Sequence, residues 1–187
     1  NIDFRLVSGF DALDVWIDPV NFDKVLYNIL SNAFNFTHEN GYILISLDTR
    51  RAHANDAQSL KNHDFFELCI ENSGSRIDDQ EIGHIFDRFY QSSNNKLGSG
   101  SGIGLHLARM IVQLHHGKIF ARNVENGVAF FVQIPLGNKH LSAEEMGNQE
   151  LNIERYSPLL RDNERIPEPG CREQSQTEKE HSERERK

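Results

Sequence analysis

Cysteines are scarce in this sequence, and long hydrophobic runs are missing. The 187 residues include two cysteines, Cys69 and Cys171, too few for the disulfide framework of a small secreted domain, so a reducing compartment is favoured. No stretch approaches the roughly 20 apolar residues that a membrane-spanning helix needs, and the first residues do not form a signal-peptide pattern. We therefore expect no membrane contact by this chain.

Positive charge is also in short supply. The chain has 20 Lys and Arg against 28 Asp and Glu, a formal net charge of −8. An acidic chain of this kind lacks the surface that neutralises a phosphate backbone, so we expect no nucleic acid as a partner. Because the first residue is Asn1 rather than Met, the sequence is expected to be a piece of a longer protein.

The composition changes sharply after about residue 137. More than half of residues 161–187 are charged, and only Ile166 and Cys171 among them are apolar. A segment of this composition cannot bury enough surface to offset the entropy of ordering it. We therefore predict a folded domain at residues 1–137 and a charged linker or tail, largely disordered, at residues 138–187.

Hydrophobic periodicity within residues 1–137 predicts both strands and helices. The predicted strands cover residues 2–7, 13–17, 42–47, 65–70, 118–121 and 128–134. The predicted helices run from Asp18-Pro19 to about Phe36, over residues 78–84 and over residues 102–116. Because hairpins join most of the strands, the pattern indicates an α+β fold: a two-layer sandwich with a mixed, mostly antiparallel sheet covered on one face by helices.

A glycine-rich run precedes the last predicted helix: Gly100-Ser101-Gly102-Ile103-Gly104-Leu105. Glycines at alternate positions leave backbone N–H groups uncovered, and the helix that follows aims its positive end at the same place. This combination is suited to holding phosphates, so a nucleotide is the first ligand to consider. A glycine-rich run alone is also typical of flexible linkers.

The first long helix carries asparagines at positions 28, 32 and 35, on one face beside its apolar stripe. Asparagine is a poor helix former, so three on one face need a reason. One interpretation is a solvated face. The other is a set of neutral oxygen ligands for Mg²⁺ with amide donors for phosphate oxygens.

Two further segments have both a structural and a functional interpretation. Asn72-Ser73-Gly74-Ser75-Arg76-Ile77 follows a predicted strand and is either an ordinary turn or a place where a base edge is hydrogen-bonded. Ile85-Phe86-Asp87-Arg88-Phe89-Tyr90 places three aromatic residues before a polar loop. We interpret it as a core-anchoring turn whose Arg88 can reach toward phosphate.

In this order, the four segments resemble the ATP-binding catalytic domain of two-component sensor histidine kinases. That domain belongs to the GHKL superfamily, with the gyrase, heat-shock chaperone and mismatch-repair ATPases. The N box corresponds to residues 23–37, the G1 box to 72–77, the F box to 86–90 and the G2 box to 100–105. Residues 134–137, followed by His140-Leu141, also resemble the exit segment of hybrid sensor kinases. The resemblance implies the GHKL (Bergerat) fold.

The resemblance also implies the cofactors ATP and Mg²⁺ and a role for each matched residue. Asn28 and Asn32 would hold Mg²⁺ and phosphates, and Phe36 would pack on adenine. Asn72 would bond the adenine amino group, and residues 91–101 would form a lid over ATP. The implied nucleotide-binding residues are Asn28, Asn32, Asn35, Phe36, Asn72, Gly74, Arg76, Ile77, Gly100, Ser101, Gly102, Ile103, Gly104 and Leu105; the implied catalytic residues are Asn28, Asn32 and Arg88.

A protein-histidine kinase domain of this family passes the γ-phosphoryl group of ATP to a histidine on a separate, dimerising helical domain. Nothing in this sequence resembles that acceptor segment. The partners implied are the acceptor domain of the same protein and a receiver domain or response regulator. The location implied is the cytoplasmic portion of a membrane-bound sensor.

Three residues depart from the family pattern. Asn72 stands where the family usually has Asp, Asn35 where a basic residue often touches phosphate, and Arg76 in place of the second glycine of the G1 box. Weakened ATP binding is the expected result. These departures keep open two alternatives: an interaction module that no longer turns over ATP, and a different ATPase of the same superfamily.

Overall fold

A computed structural model describes residues 1–51, 64–91 and 101–147. Their elements are β1 (Asp3–Ser8), α1 (Pro19–Phe36), β2 (Tyr42–Arg50), β3 (Phe65–Ser73), α2 (Gly104–Leu114), β4 (Lys118–Val124), β5 (Gly127–Pro135) and α3 (Ala143–Gly147). The sheet order is β1-β2-β3-β5-β4, with β1 and β2 parallel and the other pairs antiparallel. The mixed, mostly antiparallel sheet is therefore as the sequence predicts. Within the described ranges, no helix has the length and apolarity to cross a bilayer.

The core lies between one face of this sheet and the two long helices. Alternate residues of β3 (Phe66, Leu68 and Ile70) are buried on that face. From α1, the fully buried Val25, Ile29 and Ala33 face the sheet at helical spacing. The buried residues of α2 are Leu107, Ala108, Ile111 and Val112. The two helices thus form the second layer of the predicted sandwich.

The bounds of α1 follow from its end residues. Asp18 is the N-cap, and its Oδ1 accepts a hydrogen bond from the Asn21 N–H at 3.1 Å. Pro19 occupies the first helical position, where its missing N–H costs nothing. At the other end, Thr37 donates to the Ala33 carbonyl from its backbone N–H at 3.0 Å and from its hydroxyl at 2.6 Å. The prediction of a helix from Asp18-Pro19 to Phe36 is confirmed.

A buried histidine joins the start of α1 to the end of α2. His115 Nε2 accepts a hydrogen bond from the Asp18 N–H at 2.9 Å, and its Nδ1 bonds the Ile111 carbonyl at 2.8 Å. Since Nε2 accepts this N–H, Nδ1 is the nitrogen that donates to the Ile111 carbonyl. Phe22 packs edge-on against it, with ring centroids 6.3 Å apart. No sequence motif marks this tether.

Two elements predicted from the sequence are wrong. Residues 13–17 are not a strand and do not join the sheet: β1 pairs in parallel with β2, and α1 is the crossover between them. Alternation over five residues indicates an extended segment but not its strand partner. Residues 78–84 form turns rather than a helix: the Asp78 carbonyl accepts from both the Glu81 and the Ile82 N–H at 2.9 Å.

The predicted linker or tail, residues 138–187, lies mostly outside the described residues, which end at 147. In the described part, Ser142 and Glu145 form a reciprocal capping box at the start of α3. Glu145 also bonds His116 Nε2 at 2.8 Å, at the end of α2. The Ser142 N–H, with His116 as the next cause, lowers the pKa of Glu145 to about 2. Residues 142–145 are therefore held against the folded domain.

We expect the substitution His115→Ala to destabilise the domain by about 2–4 kcal/mol, because it removes two hydrogen bonds and leaves a cavity beside Phe22. Urea unfolding followed by circular dichroism measures the free energy of unfolding. His38→Ala is the control, since His38 is exposed. Equal midpoints for the two variants would show that the tether contributes nothing.

Candidate functional site

The polar face of α1 meets the first residue of α2 at the buried Asn28. Its Nδ2 donates to the Lys24 carbonyl at 2.8 Å, which fixes the amide and leaves Oδ1 on the side of α2. A Cβ atom at Gly104 would lie 2.5 Å from that Oδ1. Only a glycine therefore allows the two helices to approach so closely here. The asparagine-bearing segment and the glycine-rich segment meet at this contact.

The N-terminus of α2 is open at the same place. Its N-cap residue, Ile103, makes no side-chain cap, and no acidic residue stands in the first turn. The leading N–H groups of the helix, including those of Gly104 and Leu105, lack intrahelical partners and carry the positive end of the helix dipole. Such an end is suited to an anion. Ser101 is exposed just before it, whereas Gly100 and the rest of residues 92–100 lie outside the described part of the chain.

The remaining polar residues of α1 extend this face toward the end of the helix. Asn32, one turn after Asn28, is half-buried. Asn35 is exposed, and its Nδ2 lies 3.5 Å from Ser31 Oγ. Phe36, the last helical residue, is also exposed. The predicted stripe is thus a graded surface that is most buried at Asn28.

The turn after β3 packs against the end of α1. Asn72 is buried in the sheet between Ile43 and Val128, and its Nδ2 donates to the Ser73 carbonyl at 3.2 Å. Gly74 has a φ of +135°, and a Cβ there would overlap the carbonyl oxygen of Phe36. The structure therefore brings the segment 72–77 to the C-terminal end of α1, where the helix face that carries Asn28, Asn32 and Asn35 ends.

Asn123 on β4 fixes the loop that follows Gly74. Its Oδ1 accepts from the Ile77 N–H at 2.9 Å, and its Nδ2 donates to the Ile77 carbonyl at 2.7 Å and to Asp79 Oδ1 at 2.9 Å. Arg76, next to this clamp, is exposed. Sequence reasoning missed Asn123, because no local motif marks it and only the β4–β5 pairing places it opposite the loop.

The aromatic turn is tied to the glycine segment by its backbone. The Phe89 N–H donates to the Gly102 carbonyl at 3.0 Å, and both residues have positive φ, +64° and +67°. A Cβ at Gly102 would lie 2.6 Å from the Tyr90 carbonyl oxygen. Phe86 anchors the turn in the core against Phe130, with centroids 6.4 Å apart. The predicted core-anchoring turn is present.

Charged groups hold the same turn to α2. Asp87 bonds His84 Nδ1 at 2.9 Å and Arg109 at 3.2 Å, and these contacts, His84 first, lower the pKa of Asp87. Arg88 lies exposed with its guanidinium 4.7 Å from the centre of the Phe89 ring. In the described structure the Arg88 guanidinium thus lies over the ring of its neighbour.

The described residues contain no group of three His, Cys, Asp or Glu side chains that could hold a metal ion. Amide oxygens, water and oxygens of a ligand are other groups that can hold a cation. Asn28 Oδ1 is suited to this, because its amide is fixed and its oxygen lies next to the anion-binding end of α2. This donor set matches Mg²⁺, which keeps several waters and takes its remaining ligands from phosphates.

Comparison with known proteins gives a consistent result. Residues 17–138 match the family described as histidine kinase-, DNA gyrase B-, and HSP90-like ATPase. Among curated relatives, the probable sensor kinase SilS of Salmonella typhimurium is 33% identical over 120 residues, 63% of this chain and 22% of its own length. Histidine kinase P4 of Formosa agariphila is 32% identical over 152 residues, 78% of this chain and 10% of its own length. The chain therefore spans about a fifth and a tenth of these two relatives.

Solved structures agree with the sequence matches. The nucleotide-free catalytic domain of histidine kinase ThkA superposes with a TM-score of 0.59 at 31% identity, covering 72% of this chain and 80% of that domain. A structure of ThkA in complex with the response regulator protein TrrA matches with a TM-score of 0.55 at 30% identity, covering 73% of this chain and 34% of the ThkA chain.

We expect Gly74→Ala to destabilise the domain by about 3 kcal/mol or more, because it combines an unfavourable φ with overlap on the Phe36 carbonyl. The free energy of unfolding in urea is the measurement. Two controls separate the causes. Gly137 has a φ of +71° but open space, and Gly83 has open space with no unusual φ. We expect Gly137→Ala to cost about 1–2 kcal/mol and Gly83→Ala almost nothing; equal costs at Gly74 and Gly137 would contradict the packing argument.

Proposed function

The chain belongs to the histidine kinase-, DNA gyrase B-, and HSP90-like ATPase family as a catalytic domain of the histidine kinase type, and we propose that it binds ATP with Mg²⁺ where α1 meets α2. The observation that carries this proposal is the close approach of Gly104 to Asn28. It sets a fixed amide oxygen beside an uncapped helix N-terminus. A triphosphate with its divalent counterion needs both at once.

The phosphate end of the proposed site is formed by backbone more than by side chains. Phosphate oxygens bind to the free N–H groups at the start of α2 and to the glycines at 100, 102 and 104. Ser101, Ile103 and Leu105 belong to the same phosphate-binding segment. Asn28 Oδ1, with Asn32 one turn later, holds the Mg²⁺. The ion supplies neutralisation of phosphate charge when bound. The exposed Arg88 leaves the Phe89 ring to contact phosphate.

The base end of the proposed site lies between the end of α1 and the turn after β3. Asn72 Oδ1 accepts from the adenine amino group, while its Nδ2 stays on the Ser73 carbonyl. Gly74 and Ile77 allow the base to approach the backbone, and the exposed ring of Phe36 covers it. Asn35 and Arg76 border this end. Asn123 acts only by positioning Ile77.

The reaction proposed is transfer of the γ-phosphoryl group to a histidine on a separate dimerising helical domain of the same protein. This step depends on positioning and charge neutralisation rather than on covalent chemistry by the enzyme. The downstream partner is a response regulator or a receiver domain of a hybrid kinase, as the TrrA complex of the relative ThkA suggests by analogy. Residues 1–137 would be the catalytic domain in the cytoplasmic portion of a membrane-bound sensor, and residues 138–187 a charged linker or tail.

A second candidate function is an interaction module that binds ATP weakly or not at all. The exposed Asn35 favours it, since a neutral side chain stands where a basic one often contacts phosphate. The two candidates differ in one measurement on the intact parent protein. Labelled phosphohistidine formed from γ-labelled ATP supports the kinase, and its absence despite correct folding supports the module.

We expect Asn28→Ala to weaken binding of a fluorescent ATP analogue by about tenfold or more in Mg²⁺, equivalent to ~1.4 kcal/mol. The dependence of affinity on Mg²⁺ should fall with it, because the fixed amide oxygen is gone. Titrations with Mg²⁺ and with EDTA make the measurement. Asn138→Ala is the matched control, since that exposed asparagine lies outside the site. An unchanged affinity and Mg²⁺ dependence in Asn28→Ala would reject this site.

We expect Asn72→Asp to tighten ATP binding by roughly 1 kcal/mol, because a carboxylate makes a charge-assisted hydrogen bond to the adenine amino group. The same change should destabilise the unliganded domain, because the introduced carboxylate cannot donate to the Ser73 carbonyl and places a charge in a buried position. Calorimetric titration gives the first quantity and urea unfolding the second. Weaker ATP binding in this variant would place the base elsewhere.

A further inference from the structure

The sheet has one edge strand that lacks the usual protection. All six residues of β1 are exposed, including Phe4 at 50%, Leu6 at 64% and Val7 at 55%. The opposite edge, β4, carries the exposed cations Lys118 and Arg122, which oppose pairing with another strand. In β1, by contrast, Asp3 and Arg5 form an ion pair with each other, so their opposite charges cancel. The apolar edge is therefore open to a complementary strand.

The backbone groups available at this edge follow from the pairing with β2. The Asp3 N–H donates to the Gly41 carbonyl at 2.9 Å, and Asp3 is in register with Tyr42. Because backbone groups alternate between the two sides of a strand, the N–H and C=O groups of Phe4 and Leu6 point away from β2. In the part of the chain that is described, β2 is the only strand paired with β1.

We propose that β1 pairs antiparallel with β1 of a second copy of this chain, with Phe4 opposite Phe4. In this register Asp3 of each copy lies opposite Arg5 of the other copy, so the two-fold axis relates two identical Asp3–Arg5 pairs. These pairs occupy non-hydrogen-bonded positions, where opposing side chains are closest. Centring the pairing on Arg5 would oppose two guanidinium groups, and centring it on Leu6 would leave Arg5 opposite Val7. Charge complementarity therefore selects the Phe4 register.

The other face of β1 favours the same register. Phe4 is stacked on Phe34 of α1, with centroids 5.9 Å apart and planes 9° apart, and Phe34 is itself exposed. Pairing at Phe4 brings the two stacks together, and Ile2 lies opposite Leu6 of the second copy. The result is a continuous ten-stranded sheet. Because the outer edges are then the cationic β4 strands, assembly stops at the dimer.

A six-residue edge makes a small contact, so the association is weak. It is independent of the nucleotide site, since no residue of β1 belongs to that site. Failure of the dimer and failure of ATP binding are therefore distinguishable. The pairing would join two catalytic domains through their sheets.

Sedimentation velocity from about 5 to about 500 µM protein tests the proposal, a range suited to weak complexes. We expect a concentration-dependent monomer–dimer equilibrium. Asp3→Arg and Arg5→Asp should each abolish it, because each puts like charges opposite each other. An equimolar mixture of the two variants, and the double variant Asp3→Arg/Arg5→Asp, should restore it. A monomer throughout, dimers indifferent to either single change, or larger polymers would overturn the proposal.

Cysteine cross-linking tests the register in a Cys171→Ser background. Burial raises the pKa of the remaining Cys69 thiol to about 11, so it does not compete at neutral pH. Phe4→Cys should oxidise to a disulfide dimer, because opposed hydrogen-bonded positions lie within disulfide reach. Leu6→Cys is the matched control: its two copies would be about 14 Å apart and should stay reduced. Cross-linking of Leu6→Cys but not of Phe4→Cys would refute the Phe4 register.

Discussion

The close contact between Asn28 on α1 and Gly104 on α2 depends on the packing of the whole helical layer. The apolar stripes of both helices press them onto the same face of the sheet, which sets their separation. His115 then fixes the end of α2 to the start of α1. The aromatic turn fixes the other end of α2 through Phe89, which bonds Gly102 just before the helix, and holds its middle through the Asp87–Arg109 contact. With both ends held, a glycine and an asparagine meet where larger residues would force the helices apart.

Much of this arrangement was readable from the sequence, and the reasons are local. The Asp18-Pro19 start of α1 and the apolar segments 42–47 and 65–70 are short-range signals, and each produced the element predicted. Gly102 was identified from the alternate spacing of its neighbouring glycines, and Gly74 from its place after a predicted strand and from the family resemblance. The structure then gave each a physical reason, a positive φ with backbone at close range. Positions constrained by backbone geometry are the ones a sequence reveals best.

The failures concern contacts between residues far apart in the chain. The segment 13–17 alternates like a strand, yet β1 pairs with β2 rather than with this segment. His115 and Asn123 act across 97 and 46 residues of sequence, and neither belongs to a motif. The position of Arg88 on the Phe89 ring likewise depends on a turn whose left-handed residue no pattern marks. The topology of the fold, rather than the local composition, determines each of these contacts.

The capping box of α3 fixes the position of the chain after β5 in the described residues. Glu145 holds the departing chain beside His116, at the C-terminal end of α2, whereas the proposed phosphate-binding groups lie at the N-terminal end. An 11-residue helix is about 16 Å long. Residues 142–145 therefore pack at the end of α2 that lies a helix length away from the proposed phosphate-binding groups.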